Sequence, residues 1–186
     1  MSMSDFVKDT CCSYCGIGFD DVDYPKLCNE CGNTTFKPVP ACVICIPVLF
    51  GTERGKLPQE HRGTVLVRRS IEPGFGELAL AGGYMDTGET WEETAVREFE
   101  EEVGYRTNPD FWKFEWIDYG EHGEHLLIFC SYDFWDYNGN HPLGRAIRNF
   151  RPNDEVSELV VAHDGQEAPK LAFPSHQKAM EWAFTL

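Results

Sequence analysis

Two CxxCG units, Cys12-Ser-Tyr-Cys15-Gly16 and Cys28-Asn-Glu-Cys31-Gly32, constrain this chain more tightly than any other local feature. In each, the glycine lets the backbone turn so that both thiols face one point. Two such pairs supply four soft ligands, the closed tetrahedral set of structural zinc. About a dozen residues separate them, a length that suits the hairpin of a zinc ribbon. Cys11 competes with Cys12 for the first place, but only Cys12 completes the pattern. A third pair, Cys42 and Cys45, lies inside the apolar run Ala-Cys-Val-Ile-Cys-Ile-Pro-Val-Leu-Phe and reads as part of a buried strand. There a cysteine packs as a small hydrophobe, and Cys130 reads the same way. Of eight cysteines, seven fall between residues 11 and 45. With no apolar signal-peptide stretch near the N-terminus, that density favours metal over disulfides and a cytoplasmic location.

Charge narrows the partners. Asp and Glu number 31 against 16 Lys and Arg, a formal net charge of −15 over 186 residues. Nucleic acid and anionic membranes need clustered cations, so both are expected to be excluded. Acids also outnumber lysines between Asp5 and Lys37, which argues against a nucleic-acid-binding ribbon. No apolar run approaches the roughly 18–20 residues of a bilayer span, so a soluble protein is expected.

The stiff junction Lys37-Pro-Val-Pro40 marks a boundary between residues 1–37 and 38–186. Beyond it, alternation and β-branched runs predict strands at Cys42–Phe50, Thr64–Arg69, Glu77–Leu80, Phe111–Tyr119, His125–Asp133 and Leu159–Ala162. The polar segment Gly51–Gly63 predicts a loop. A helix is predicted from Thr90 to Val103: Trp91, Ala95, Phe99 and Val103 recur every four residues, and Val96 widens the stripe. Thr90 with Glu93 fits a capping box and Gly104 fits the position just past the end. A second helix is predicted at Ser175–Phe184, after Pro174. One central and one terminal helix among strands imply a layered α/β (α+β) domain.

The window Gly83–Tyr105, GYMDTGETWEETAVREFEEEVGY, holds eight acids and one base. Glu98, Glu101 and Glu102 are spaced i, i+3, i+4 and share one helix face. Three carboxylates there repel one another unless a cation lies between them, and hard oxygen ligands suit Mg²⁺ or Mn²⁺. A solvated acidic face is the competing reading. The Gly-rich loop preceding the helix, able to bring backbone carbonyls to the same ion, favours the metal.

This window resembles the Nudix box, G-x5-E-x7-R-E-U-x-E-E-x-G-U, with Gly83, Glu89, Arg97, Glu98, Phe99, Glu101, Glu102, Gly104 and Tyr105 in the defined places. An aliphatic residue is more usual where Tyr105 stands. The resemblance implies a Nudix-type αβα sandwich with a mixed sheet, and a metal-dependent hydrolase of nucleoside diphosphate derivatives. Carried over by position, it implies that Glu98, Glu101, Glu102 and the Gly83 carbonyl hold Mg²⁺ or Mn²⁺. It implies that Arg97 and Glu89 brace the loop against the helix. Glu98 is the favoured general base, with Glu121 and Glu124 as rivals; Glu155 and Glu158 are candidates for an extra metal ligand.

A zinc ribbon before such a domain is similar to NADH-, FAD- and ADP-ribose-cleaving pyrophosphatases. By the same resemblance Arg69 would contact substrate phosphate, with an ordinary strand-end cation as its competing reading. Departures bear on the substrate. Leu80-Ala81-Gly82-Gly83 replaces the common Leu-Pro-Gly-Gly. No stretch matches the Ser-Gln-Pro-Trp-Pro-Phe-Pro segment of NADH-specific members, and Gly120 and Glu121 stand where ADP-ribose-specific members place a proline. The expectation is a pyrophosphatase acting on a small dinucleotide-type molecule, with structural zinc in the ribbon; homodimers are a common assembly among the enzymes it resembles. The alternatives are action on nucleoside triphosphates, or a nucleotide-binding sensor on the same fold.

Overall fold

The computed structural model describes residues 10–20, 23–51, 62–120, 123, 125–135, 137 and 141–186. Most of the expected 51–63 loop and both Glu121 and Glu124 lie outside the described residues. Internal contacts divide the chain into two compact units that meet in sequence between Val39 and Pro40.

Among its described residues the first unit is organised by tight turns. Short strands β1 (Lys26–Leu27) and β2 (Thr34–Thr35) pair antiparallel. Each CxxCG closes a tight turn, Gly16 N–H to Cys12 O and Gly32 N–H to Cys28 O, both 2.9 Å. Both glycines take positive φ, 75° and 73°, where a side chain would be strained.

The second unit is built on a mixed seven-stranded sheet: β3 (Ala41–Phe50), β4 (Arg62–Arg69), β5 (Leu78–Ala79), β6 (Gly82–Tyr84), β7 (Lys113–Tyr119), β8 (Leu126–Phe134) and β9 (Val156–His163). Central β3 runs parallel to β8 along nearly its whole length, and its alternate side chains enter different cores. Its other edge is shared. β4 pairs with it only at Leu49–Phe50, and β6 takes Cys42–Ile44. β4 diverges to pair with β5 and β9, so the segment Leu78–Tyr84 lies as a wedge between β4 and β3. Cys45 N–H bonds Ala81 O at 2.8 Å within that wedge.

Helix α1 (Trp91–Val103) covers one face through Ala95, Val96, Phe99 and Val103, joined there by Leu143 of α2 (Pro142–Asn149). Helix α3 (Pro174–Thr185) covers the other through Ala179, Met180 and Ala183. The structure is therefore the expected αβα layering. Thr90 and Glu93 form the predicted reciprocal capping box, and Gly104 ends α1 at φ 74°. Short α2 and strand β6 are absent from the sequence-based expectation, and the predicted strands differ from the observed ones by one to three residues at their ends. The 111–119 run starts with a 3₁₀ turn at Pro109–Phe111, and the late strand extends to Val156–His163. Cys45 and Cys130 are fully buried and Cys42 half-buried, as apolar packing requires. Among the aromatics, Trp112 is buried and Phe111 and Phe114 are exposed.

Candidate active site

The chemistry-bearing face of α1 meets the wedge. Helical spacing carries Glu98 and Glu102 inward, and both are buried. Glu102 Oε2 accepts the Gly82 N–H at 2.9 Å. The Glu98 carboxylate occupies the space a Cβ on residue 83 would need. Gly82 itself packs so closely on the Val43 carbonyl that no side chain fits there. The glycine pair is thus required by contact on both sides.

Glu101 does not converge with the other two. It stays exposed and accepts from Arg97 Nη1 at 3.3 Å. Arg97 is the hub of the box: Nε and Nη2 donate to the two oxygens of Glu89 at 2.8 and 2.9 Å, Nη2 to Tyr84 O at 2.9 Å, and Nη1 to Glu98 Oε1 at 2.5 Å. Glu89 also accepts from Asp86 N–H and Thr94 Oγ1, which anchors the loop before α1. An open groove of about 930 Å³ borders this outer side, lined by Glu89, Arg97, Glu101 and Arg106 among others. Glu98 and Glu102 do not line it; they face β6.

Burial dominates the electrostatics of the inward pair. Desolvation pushes the Glu102 carboxyl up to about 8, opposed by the Gly82 N–H and reinforced by the charges of Glu98 and Glu155. Glu98 is raised by desolvation too, against the lowering influence of Arg97. Hydrogen bonding from Arg97 instead holds Glu89 down to about 2. A buried carboxylate with few donors is costly unless a cation approaches. These hard oxygens beside a glycine-only turn therefore fit a divalent metal such as Mg²⁺ or Mn²⁺.

Two outlying candidates separate. Glu155 lies within electrostatic reach of both Glu98 and Glu102. Its loop is pinned by Asn153 Nδ2 to Glu101 O at 3.0 Å and by Ser70 N–H to Glu155 O at 2.7 Å. Glu158 instead pairs with Arg68 Nε at 2.7 Å. Arg69 sits apart from Arg68. It donates from Nε to Pro73 O at 2.7 Å, places its guanidinium 5.2 Å over the Phe173 ring, and exerts its field on Glu102.

In the first unit, the sulfurs of Cys12, Cys15, Cys28 and Cys31 all lie within 4.8 Å of one another. Among the described residues this is the one set of three or more ligand-type side chains so gathered. Cys12–Cys31 and Cys15–Cys28 are 3.6 and 3.7 Å apart. A tetrahedron with Zn–S bonds of about 2.3 Å has an edge of about 3.8 Å, so the set fits zinc. Backbone donation from Cys15 holds the Cys12 thiol down to about 6, whereas Cys15, against donation from the Ile17 backbone, is pushed up to about 12 by desolvation and the three neighbouring thiols. Cys11 is outside the set and bridges to Gly18.

Among the described residues no helix is long and apolar enough to cross a membrane.

Solved structures share this architecture. The chain is 14% identical to a MutT/nudix family protein from Enterococcus faecalis (TM-score 0.62), covering 81% of this chain and 62% of that one. A NUDIX hydrolase from Nitrosomonas europaea is 20% identical (TM-score 0.59; 92% and 88% covered). The NUDIX domain of Shewanella oneidensis NrtR, crystallised with ADP-ribose, is 18% identical (TM-score 0.56; 80% and 88% covered). The chain thus spans less than two thirds of the Enterococcus protein's length. No curated protein sequence matches it. Residues 53–183 match the family description "NUDIX domain". That match takes in the capped helix, the glycine turn and all seven box residues from Gly83 to Glu102, and the chain belongs to the Nudix family.

Proposed function

We propose that this chain is a divalent-metal-dependent pyrophosphohydrolase acting on a nucleoside diphosphate derivative, with dinucleotide-type molecules of the ADP-ribose, NADH or FAD kind favoured. The observation that carries it is the approach of buried Glu98 and Glu102 to the Gly82-Gly83 turn. Glu98, Glu102 and the Gly83 carbonyl would hold Mg²⁺ or Mn²⁺, and Glu101 would join them by swinging its exposed side chain away from Arg97. When bound, such an ion supplies charge neutralisation at the pyrophosphate and lowers the pKa of water.

The remaining steps belong to the chain. Arg97 fixes the angle of Glu98 by donating to Oε1, and Glu89 fixes Arg97 in turn. Glu98, oriented by Arg97 and raised above the ordinary carboxylate range by burial, is the favoured acceptor of the attacking water's proton. Arg69, steadied by Phe173 and the Pro73 carbonyl, would bind a substrate phosphate oxygen. The four-cysteine set would hold zinc in a structural role.

The substrate class draws on the ribbon and on the ADP-ribose bound by the Shewanella NrtR domain, a ligand of the same class. NrtR has also been crystallised with a 27mer DNA, so the exclusion of nucleic acid is carried by the net charge of −15 alone. The test is a hydrolysis screen over dinucleotides, nucleotide sugars, triphosphates and CoA with Mg²⁺ and with Mn²⁺. Metal-dependent phosphate-ester products are expected, and E101Q and E102Q should each lose about 100-fold or more in turnover with the fold intact. Binding without turnover would favour the sensor reading; near-normal turnover by both variants would overturn the site.

A further inference from the structure

The glycine turn depends on what holds the residues before it. Ala81 is tied to β3 through the Cys45 N–H. Leu80 has no strand partner, yet it is 2% exposed, and a buried backbone N–H needs an acceptor. His176 supplies it: Nδ1 accepts the Leu80 N–H at 3.1 Å across 96 residues of sequence. This histidine is 6% exposed and lies in the first turn of α3, its ring 4.9 Å from Phe173 and 6.4 Å from Phe129.

The surrounding segment runs along the wedge like a further strand. Leu171 bridges Leu78 in parallel, Ala172 N–H donates to Leu78 O at 2.8 Å, and Gln177 Oε1 accepts the Leu171 N–H at 3.0 Å. Phe173, in the same stretch, carries the Arg69 guanidinium. One short C-terminal segment thus touches both the lead-in to the glycine turn and the arginine beside it.

We propose that His176 is a positioning residue for the metal site: by accepting the Leu80 N–H it sets the register in which Gly82 N–H reaches Glu102 and Gly83 lies against Glu98. The inference rests on the divalent-metal reading of those carboxylates. Only Ala81 separates Leu80 from Gly82, and Gly82 has no slack against the Val43 carbonyl. With the Leu80 anchor lost, the pairing with β3 is left alone to hold the turn against Glu102. Accepting at Nδ1 leaves the proton on Nε2, so the acceptor must be a neutral imidazole. The segment acts on the ligands without touching the ion, as the outer partners of metal ligands do.

The chemistry of the hydrogen bond supplies the test. An asparagine places Oδ1 where Nδ1 stands; a glutamine reaches instead to the Nε2 position; methionine fills the space with no comparable acceptor. Mn²⁺ affinity of the full chain, ribbon zinc-loaded, is measured by electron paramagnetic resonance for H176N, H176Q and H176M. H176N is expected within about threefold of wild type, and H176Q and H176M weaker by about tenfold or more. A merely structural role would lower thermal stability without this order, so the asparagine rescue is the discriminating result. If H176M does not fold, the contrast between H176N and H176Q decides alone. Equal affinity in every variant, or an equal loss in all, overturns the role of His176. Wild-type protein that binds no Mn²⁺ overturns the metal site itself, a distinguishable failure.

Discussion

Arg97 and Glu89 form a two-pronged ion pair, with Nε to Oε1 at 2.8 Å and Nη2 to Oε2 at 2.9 Å, while Nη1 of the same guanidinium grips Glu98. The pair makes a pH-dependent contribution to stability. Because Glu89 is held down to about 2, its charged form favours the folded chain above its unfolded pKa of about 4.3. That contribution is lost as pH falls from about 4.3 towards about 2. Urea unfolding should therefore show E89Q less stable than wild type at pH 7, the gap closing below pH about 4. R97K, which keeps the charge but loses the fork, should lower turnover at saturating metal.

A methyl group at residue 83 would collide with the Glu98 carboxylate. G83A should therefore fold, bind Mn²⁺ about tenfold or more weakly, and lose turnover. At residue 82 the obstacle is the Val43 backbone carbonyl, which cannot swing aside. G82A should cost about 2 kcal/mol or more in chemical denaturation. Equal behaviour of the two variants would contradict this division.

Glu155 precedes β9 and Glu158 lies within it, three residues on, and the two face different partners. E155Q should alter the metal dependence of turnover, because it removes a charge acting on both Glu98 and Glu102. E158Q frees Arg68 at an exposed site, where an ion pair is worth about 1 kcal/mol or less, and should leave the kinetics unchanged. Steady-state rates against Mg²⁺ concentration separate them.

His176 gives a second, independent acid dependence. Burial, aided by Arg69, holds its pKa down to about 3, against about 6.5 in an unfolded chain. Between those values the unfolded state binds the extra proton, so folding stability falls as pH drops from about 6.5 towards about 3. H176N cannot take that proton and should show a shallower loss over the same window by circular dichroism.

The cysteine cluster predicts one zinc per chain by atomic absorption. C12S should lose that zinc and the protease resistance of the ribbon. Residues beyond Pro40 have their own core and should keep their unfolding transition.

Much of this site was legible because its parts are close in sequence. The four-residue stripe from Trp91 to Val103 and the Thr90–Glu93 cap are local patterns whose faces helix geometry assigns, while the Glu89–Arg97 contact was implied by the resemblance of the box. Glu98 and Glu102 turn inward with the stripe, whereas Glu101 lies outside it, a split that shared-face reasoning blurred. His176 carried no local signal: its role exists only because α3 folds back on Leu80. The order of Glu155 and Glu158 depended on which one Arg68 would capture across two strands. Helix α2 was missed because Pro142–Asn149 is eight residues long, contains Gly144, and shows only Leu143 and Ile147 at helical spacing.

The two proposed cation sites draw on opposite halves of the ligand table, four sulfurs in one and oxygen donors in the other. They should consequently be addressable one at a time. Cadmium or an organomercurial would seek the thiolates and spare the carboxylates, while calcium would contest the glutamates and ignore the ribbon. Loss of function on treatment with a general chelator would be ambiguous for this chain, and chemically selective ions offer the cleaner dissection.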